Sequence, residues 1–121
     1  MPRFSALNST RQTVIASQLD VAETPQARRV GLSRHERLEP EQGLFIPGRS
    51  WIPLMAIHTI GMKFPIDVIF LDKDQCALRL DTIQPNRIAW ARGARGVLEV
   101  AEGAIALSKT RLGDEIEMSE L

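Results

Sequence analysis

Residues 66–72, Ile-Asp-Val-Ile-Phe-Leu-Asp, constrain the fold of this chain more than any other segment. The run is β-branched and aromatic, and it is too short to be a core helix. It therefore reads as a strand buried on both faces. The polar quartet Asp72-Lys73-Asp74-Gln75 follows as a hairpin turn. Cys76–Ile83 then returns with alternating polarity, antiparallel to the first strand. Asp67 sits inside the apolar run, and a carboxylate there needs donors or a ligand.

The rest of the chain reads as short strands and turns. Residues 12–22 form one strand, and GLFIP at 43–47 another. Thr24 followed by Pro25 marks the start of a short helix ending near Gly31 or Leu32. The apolar stretch 51–62 is broken by Pro53 and Gly61, which disfavours a regular central strand across Pro53. After a turn at Gln84–Arg87, IAWA and GVLEVAEG continue the pattern. AIALSKT fits either a strand or one helical turn. Leu112-Gly113-Asp114 turns the chain into a terminal strand. This is a mostly β, α+β class: a compact β-barrel or sandwich-like single domain with short helices. The domain spans 12–118, with a flexible N-terminal segment at 1–11 and a short end at 119–121.

With 121 residues, the chain can bury about two thirds of its unfolded surface without a disulfide or metal. Fifteen basic residues balance fifteen acidic ones, so no net charge draws the chain to nucleic acid or an anionic membrane. Cys76 is the single cysteine and reads as a small buried hydrophobe. The N-terminal stretch has no apolar signal-peptide core, and no run reaches transmembrane length. A cytoplasmic location without membrane association is expected.

Five residues are candidates for ligand contact: Arg49, Trp51, His58, Thr59 and Asp67. Trp51 offers an apolar wall and Arg49 a fork for a negative group. His58 lies nine positions before Asp67, so a turn at Gly61 can bring them together. Such a pair would fix one imidazole tautomer and expose a base. The candidates for nucleophile, Ser50, Thr59 and Ser108, rest on composition alone, so no catalytic set is assigned. His35, His58 and Cys76 match no compact zinc spacing, and Asp72, Asp74 and Asp81 no calcium loop. Neither a metal nor a cofactor is expected. Arg87, Arg92 and Arg95 surround Trp90, which reads as a core residue with a solvated arginine rim.

Four segments taken together, GLSRHERL, FPIDVIFLD, VLEVAEG and LGDEI, resemble the domain of unknown function 192 family, also called uncharacterised protein family 0127. The resemblance covers about residues 12–118. Gly31, Leu32 and Arg34 match its Gly-Leu and Arg pattern. Gly43-Leu44-Phe45 and Pro65-Ile66-Asp67 match two further blocks. Glu99, Gly103, Gly113 and Asp114 match its terminal pattern. His58–Met62 departs from the family's Met-Lys-Asn-Thr stretch and resembles a variant form. The resemblance implies a β-rich fold with small helices and no established activity. Some relatives are exported or lipid-anchored, and the leader they carry is not read here.

These observations favour a noncatalytic small-ligand or protein-interaction domain. One alternative is a hydrolase-like enzyme with His58 as base and Asp67 as orienter. Another is an RNA-associated accessory domain using the Arg87–Arg95 patch, although nucleic acid is the less favoured partner.

Overall fold

The computed structural model describes residues 3–22, 32, 36–48, 51 and 53–120. Among them are nine strands and one short helix. The strands are β1 (Phe4–Asn8), β2 (Thr13–Val21), β3 (Gln42–Pro47), β4 (Leu54–His58), β5 (Ile66–Leu71), β6 (Ala77–Ile83), β7 (Ile88–Arg92), β8 (Gly96–Ala101) and β9 (Ile116–Glu120). The helix is α1 (Ala104–Ser108).

Seven strands form one sheet in the order β6-β5-β8-β3-β2-β1-β9, while β4 and β7 form a separate two-stranded ribbon. Every pairing is antiparallel except β2 with β3. The sheet curls until its two edges meet at one end. The Ala77 N–H donates to Asp114 O at 2.8 Å, and the Ile116 N–H to Gln75 O at 2.8 Å. This stitching shields two strand edges that would otherwise template aggregation. The β-rich, curled architecture agrees with the barrel or sandwich expectation.

β5 and β8 lie at the centre, and all six residues of each are buried. Alternation sends Val68, Phe70 and Val97 to one face, where they pack with Ile57, Ala89 and Ala91 of the ribbon. Ile69, Leu71, Leu98 and Val100 point to the other face, against Leu19, Ile116 and Ala104. Gly43 is placed between them by necessity. A Cβ there would lie 2.9 Å from Glu99 O and 2.9 Å from Val100 Cγ1.

Three expectations change. Residues 4–8 are not a loose segment: β1 pairs with β2 on one side and β9 on the other, and Ala6 is buried. The chain end is ordered by partners distant in sequence, which local composition does not record. AIALS is helical because Gly103 takes a left-handed φ of 98°, which ends β8 and turns the chain. Cys76 is half-buried at the hairpin rather than in the core. The helix expected from Thr24–Pro25 lies outside the described residues.

Candidate functional site

Asp67 is the second residue of β5 and is buried. Its Oδ1 accepts the Thr82 hydroxyl at 2.7 Å, from the residue directly opposite on β6. Its Oδ2 accepts the N–H groups of Gly103 at 3.1 Å and Ile105 at 3.0 Å. The first turn of a helix leaves N–H groups unpaired, and a side chain at the N-cap usually accepts one. Gly103 is the N-cap of α1 and has no side chain to do so. Asp67 supplies the acceptor from a neighbouring strand instead. It also lines an open cleft of about 680 Å³, with Thr82, Ile105, Lys109 and Arg111 among its walls.

His58 ends β4 and is exposed, and its Nδ1 accepts the Ile60 N–H at 3.3 Å. No hydrogen bond joins it to Asp67, whose oxygens are engaged by Thr82, Gly103 and Ile105. The two belong to separate sheets, and the His–Asp dyad of the hydrolase reading is not formed. Thr59, in contrast, is fully buried. Its hydroxyl donates to Gln84 O at 2.7 Å and accepts the Arg87 N–H at 2.9 Å, tying together the loops that flank the ribbon. Trp51 is 76% exposed. Arg49 lies outside the described residues, as do Arg34, His35 and Ser50. The five candidates are thus dispersed: Thr59 and Asp67 hold backbone, while His58 and Trp51 face solvent.

Trp90 corrects the core expectation. In the ribbon, Met55, Ile57, Ala89 and Ala91 turn inward. The outer face carries the register pairs Leu54–Arg92, Ala56–Trp90 and His58–Ile88. Ile88 is 70% exposed, Trp90 55% and Leu54 49%. Clustered large apolar side chains on one face mark an interaction surface more than scattered ones do. The surrounding segments hold no acid: none occurs from Gln42 to Ile66 or from Thr82 to Leu98. Arg49, His58, Lys63, Arg87, Arg92 and Arg95 lie within them. This local cationic bias is legible in the sequence, but overall neutrality conceals it. Alternation in IAWAR marks two faces without saying which one the core takes.

Two further acids are buried. Asp114 accepts from Asn8 Nδ2 at 3.0 Å, from Arg11 Nε at 2.8 Å and from the Arg111 N–H at 2.9 Å. The Asn8 bond, helped by Arg111 and Arg11, holds its carboxyl below the usual range despite burial. Asn8 also donates to Thr110, whose hydroxyl meets that of Ser108 at 2.7 Å. This network joins β1 to the segment after α1. Glu99, at the middle of β8, has no such partners, and burial pushes its carboxyl up to about 7. Sequence reasoning singled out Asp67 as an acid in an apolar strand. The same signal is present in Gly-Val-Leu-Glu-Val-Ala, where it matched only a family pattern.

Cys76 does not offer a reactive thiolate. Desolvation, together with the carboxylates of Asp72, Glu115 and Asp74, raises its thiol above the ordinary value. Among the described residues, no group of three His, Cys, Asp or Glu side chains is placed to hold a metal ion. No helix among them is long and apolar enough to cross a membrane.

Two solved structures share this fold. One is a "putative transcription regulator" from Sinorhizobium meliloti 1021, with a TM-score of 0.82 and 18% identity over 97% of this chain and 92% of that one. The other is a protein of unknown function from Novosphingobium aromaticivorans DSM 12444, with a TM-score of 0.79 and 20% identity over 97% of this chain and 84% of that one. At these identities the likeness concerns the fold. No curated protein matches the chain. The family model of DUF192, described as Uncharacterized ACR, COG1430, matches residues 6–118, and the chain belongs to that family.

Proposed function

We propose that this domain is a noncatalytic interaction module that docks an acidic, apolar peptide segment of a partner protein on the outer face of the β4–β7 ribbon. The observation that carries the reading is the row Leu54, Ile88 and Trp90, exposed on one face beside Arg92 and His58. Aromatic and arginine side chains are the usual anchors of protein interfaces. The absence of acids from both flanking segments makes an acidic partner the complementary one. The ribbon is backed by Ile57, Ala89 and Ala91 packed on the main sheet, so the face is presented without a large ordering cost.

A second reading has Trp90 stacking on single-stranded RNA beside Arg87 and Arg92, and the exposure of Trp90 supports it. The Arg87 guanidinium, however, turns back onto Pro85 O and Asn86 O at 3.4 and 3.3 Å. That leaves little charge for a phosphate backbone on a neutral chain, and it favours the peptide.

Selection from a random peptide library, with counter-selection against Trp90→Ala, tests this reading. Selected sequences should pair Asp or Glu with aromatic or aliphatic residues. Their NMR shift changes should map to 54–58 and 88–92. Peptides mapping elsewhere, or none selected, would count against it. Tighter and steeply salt-dependent binding of a labelled oligouridylate at the same face would favour RNA instead.

A further inference from the structure

Three acids are buried among the described residues: Asp67, Glu99 and Asp114. The first two share a sequence setting, each standing alone in an apolar central strand. Their surroundings differ. Asp67 receives three hydrogen bonds, and Asp114 is held by Asn8, Arg11 and Arg111. Glu99 is 4% exposed, yet among the described residues no donor reaches its carboxyl. In register, it stands between Leu44 of β3 and Val68 of β5. Strand alternation places it on the face of Val97, the side that packs toward the ribbon.

The carboxyl is recessed but not sealed. Among the described residues, no side-chain oxygen without a hydrogen bond is wholly shut off from a water-sized probe. The small exposed remainder of Glu99 therefore includes its carboxyl oxygens. A buried acid kept only for packing is expected to resemble Asp67, with its lone pairs filled by donors. A recessed acid with open lone pairs and apolar neighbours has the form of a recognition group waiting for a donor.

We propose that Glu99 is the anchor of a small-molecule site on this face of the central sheet, taking an apolar molecule that carries one ammonium group. The apolar part would lie against the Leu44, Val68 and Val97 surface, and the ammonium would donate to the carboxylate. A charge-assisted bond in such surroundings is stronger than the same bond in water. An anionic ligand meets a like charge and is excluded. The site lies on the inner face of the ribbon and is independent of peptide docking on the outer one. Burial keeps the free carboxyl titrating at about 7, so a bound ammonium must draw its midpoint downward.

The test is a side-chain carboxyl carbon-13 NMR titration of the whole chain, with and without benzylamine or cyclohexylamine. Benzyl alcohol and benzoate serve as neutral and anionic controls. Either amine should saturate, perturb Leu44, Val68 and Val97, and lower the Glu99 midpoint by at least about one pH unit, a tenfold preference for the ionised form. Glu99→Gln, which keeps the shape, should weaken amine binding at least tenfold. Benzoate should not bind. The proposal is overturned if neither amine moves the Glu99 midpoint in the wild type, a result that does not depend on the variant folding. Equal binding to a folded Glu99→Gln protein, or equal binding of benzyl alcohol, would also overturn it.

Discussion

Asp67 on β5 holds the backbone N–H of Gly103 at 3.1 Å, across 36 residues of chain. The left-handed Gly103 has no side chain to cap α1, and a strand carboxylate takes over that task. Strand, turn and helix are thereby locked through one side chain. Removing it should destabilise the domain by about 1–3 kcal/mol, because two helix N–H groups and the Thr82 hydroxyl lose their acceptor. Urea denaturation of Asp67→Ala measures this. Hydrogen exchange should rise first in Gly103–Ser108. Asp67→Asn keeps one acceptor oxygen and should fall between the two. No loss in either variant would remove Asp67 as the fastening of α1.

Asp114 makes a second prediction. Its folded carboxyl titrates below the ordinary value of 3.8. A depressed acid contributes stability that is present above its unfolded pKa and is lost as pH falls through the folded one. The stability gap between wild type and Asp114→Asn should be widest above about pH 4 and should close on further acidification. Chemical denaturation at stepped pH reads it directly.

Glu99 has the opposite sign. Burial raises it from 4.5 to about 7, so the folded state binds its proton more tightly than the unfolded chain. Its favourable contribution is complete below the unfolded pKa and fades as pH rises through the folded one. Wild-type stability should fall between pH 4.5 and pH 7 by an amount on the order of 3 kcal/mol. Glu99→Gln should flatten that slope and be the more stable protein at pH 8. A wild type and variant with parallel pH profiles would show that Glu99 is solvated.

The ribbon predicts a separation of binding from folding. Trp90→Ala and Ile88→Ser alter exposed positions, so stability should move by less than about 0.5 kcal/mol. Affinity for a selected peptide should fall roughly tenfold or more. A variant that loses both together would place Trp90 in the fold rather than the interface.

Gly43→Ala tests the close approach of β2, β3 and β8. The added methyl would press on Glu99 O, Val100 Cγ1 and Leu19 Cδ1, at 2.9, 2.9 and 3.0 Å. Overpacking of this kind should cost about 1–3 kcal/mol in thermal or urea unfolding.

Much of the fold was legible in local pattern. The apolar run at 66–71, the Asp72–Gln75 turn and the returning strand announce the β5–β6 hairpin, because side-chain period and turn chemistry are local properties. Pro53 correctly kept residues 51–62 out of the central sheet, and β4 begins just after it in the ribbon. The candidate site was far less legible. Asp67 and Glu99 look alike in sequence, each an acid among buried β residues. Only the approach of Thr82, Gly103 and Ile105 makes one of them a fastening, and only the lack of any such donor leaves the other open. Likewise, alternation in β7 gives two faces, but packing on the main sheet chose Ala89 and Ala91 for the core and left Ile88 and Trp90 outside. Period is written along the chain. Which face is buried, and which acid finds a donor, depends on elements brought together from far apart in it.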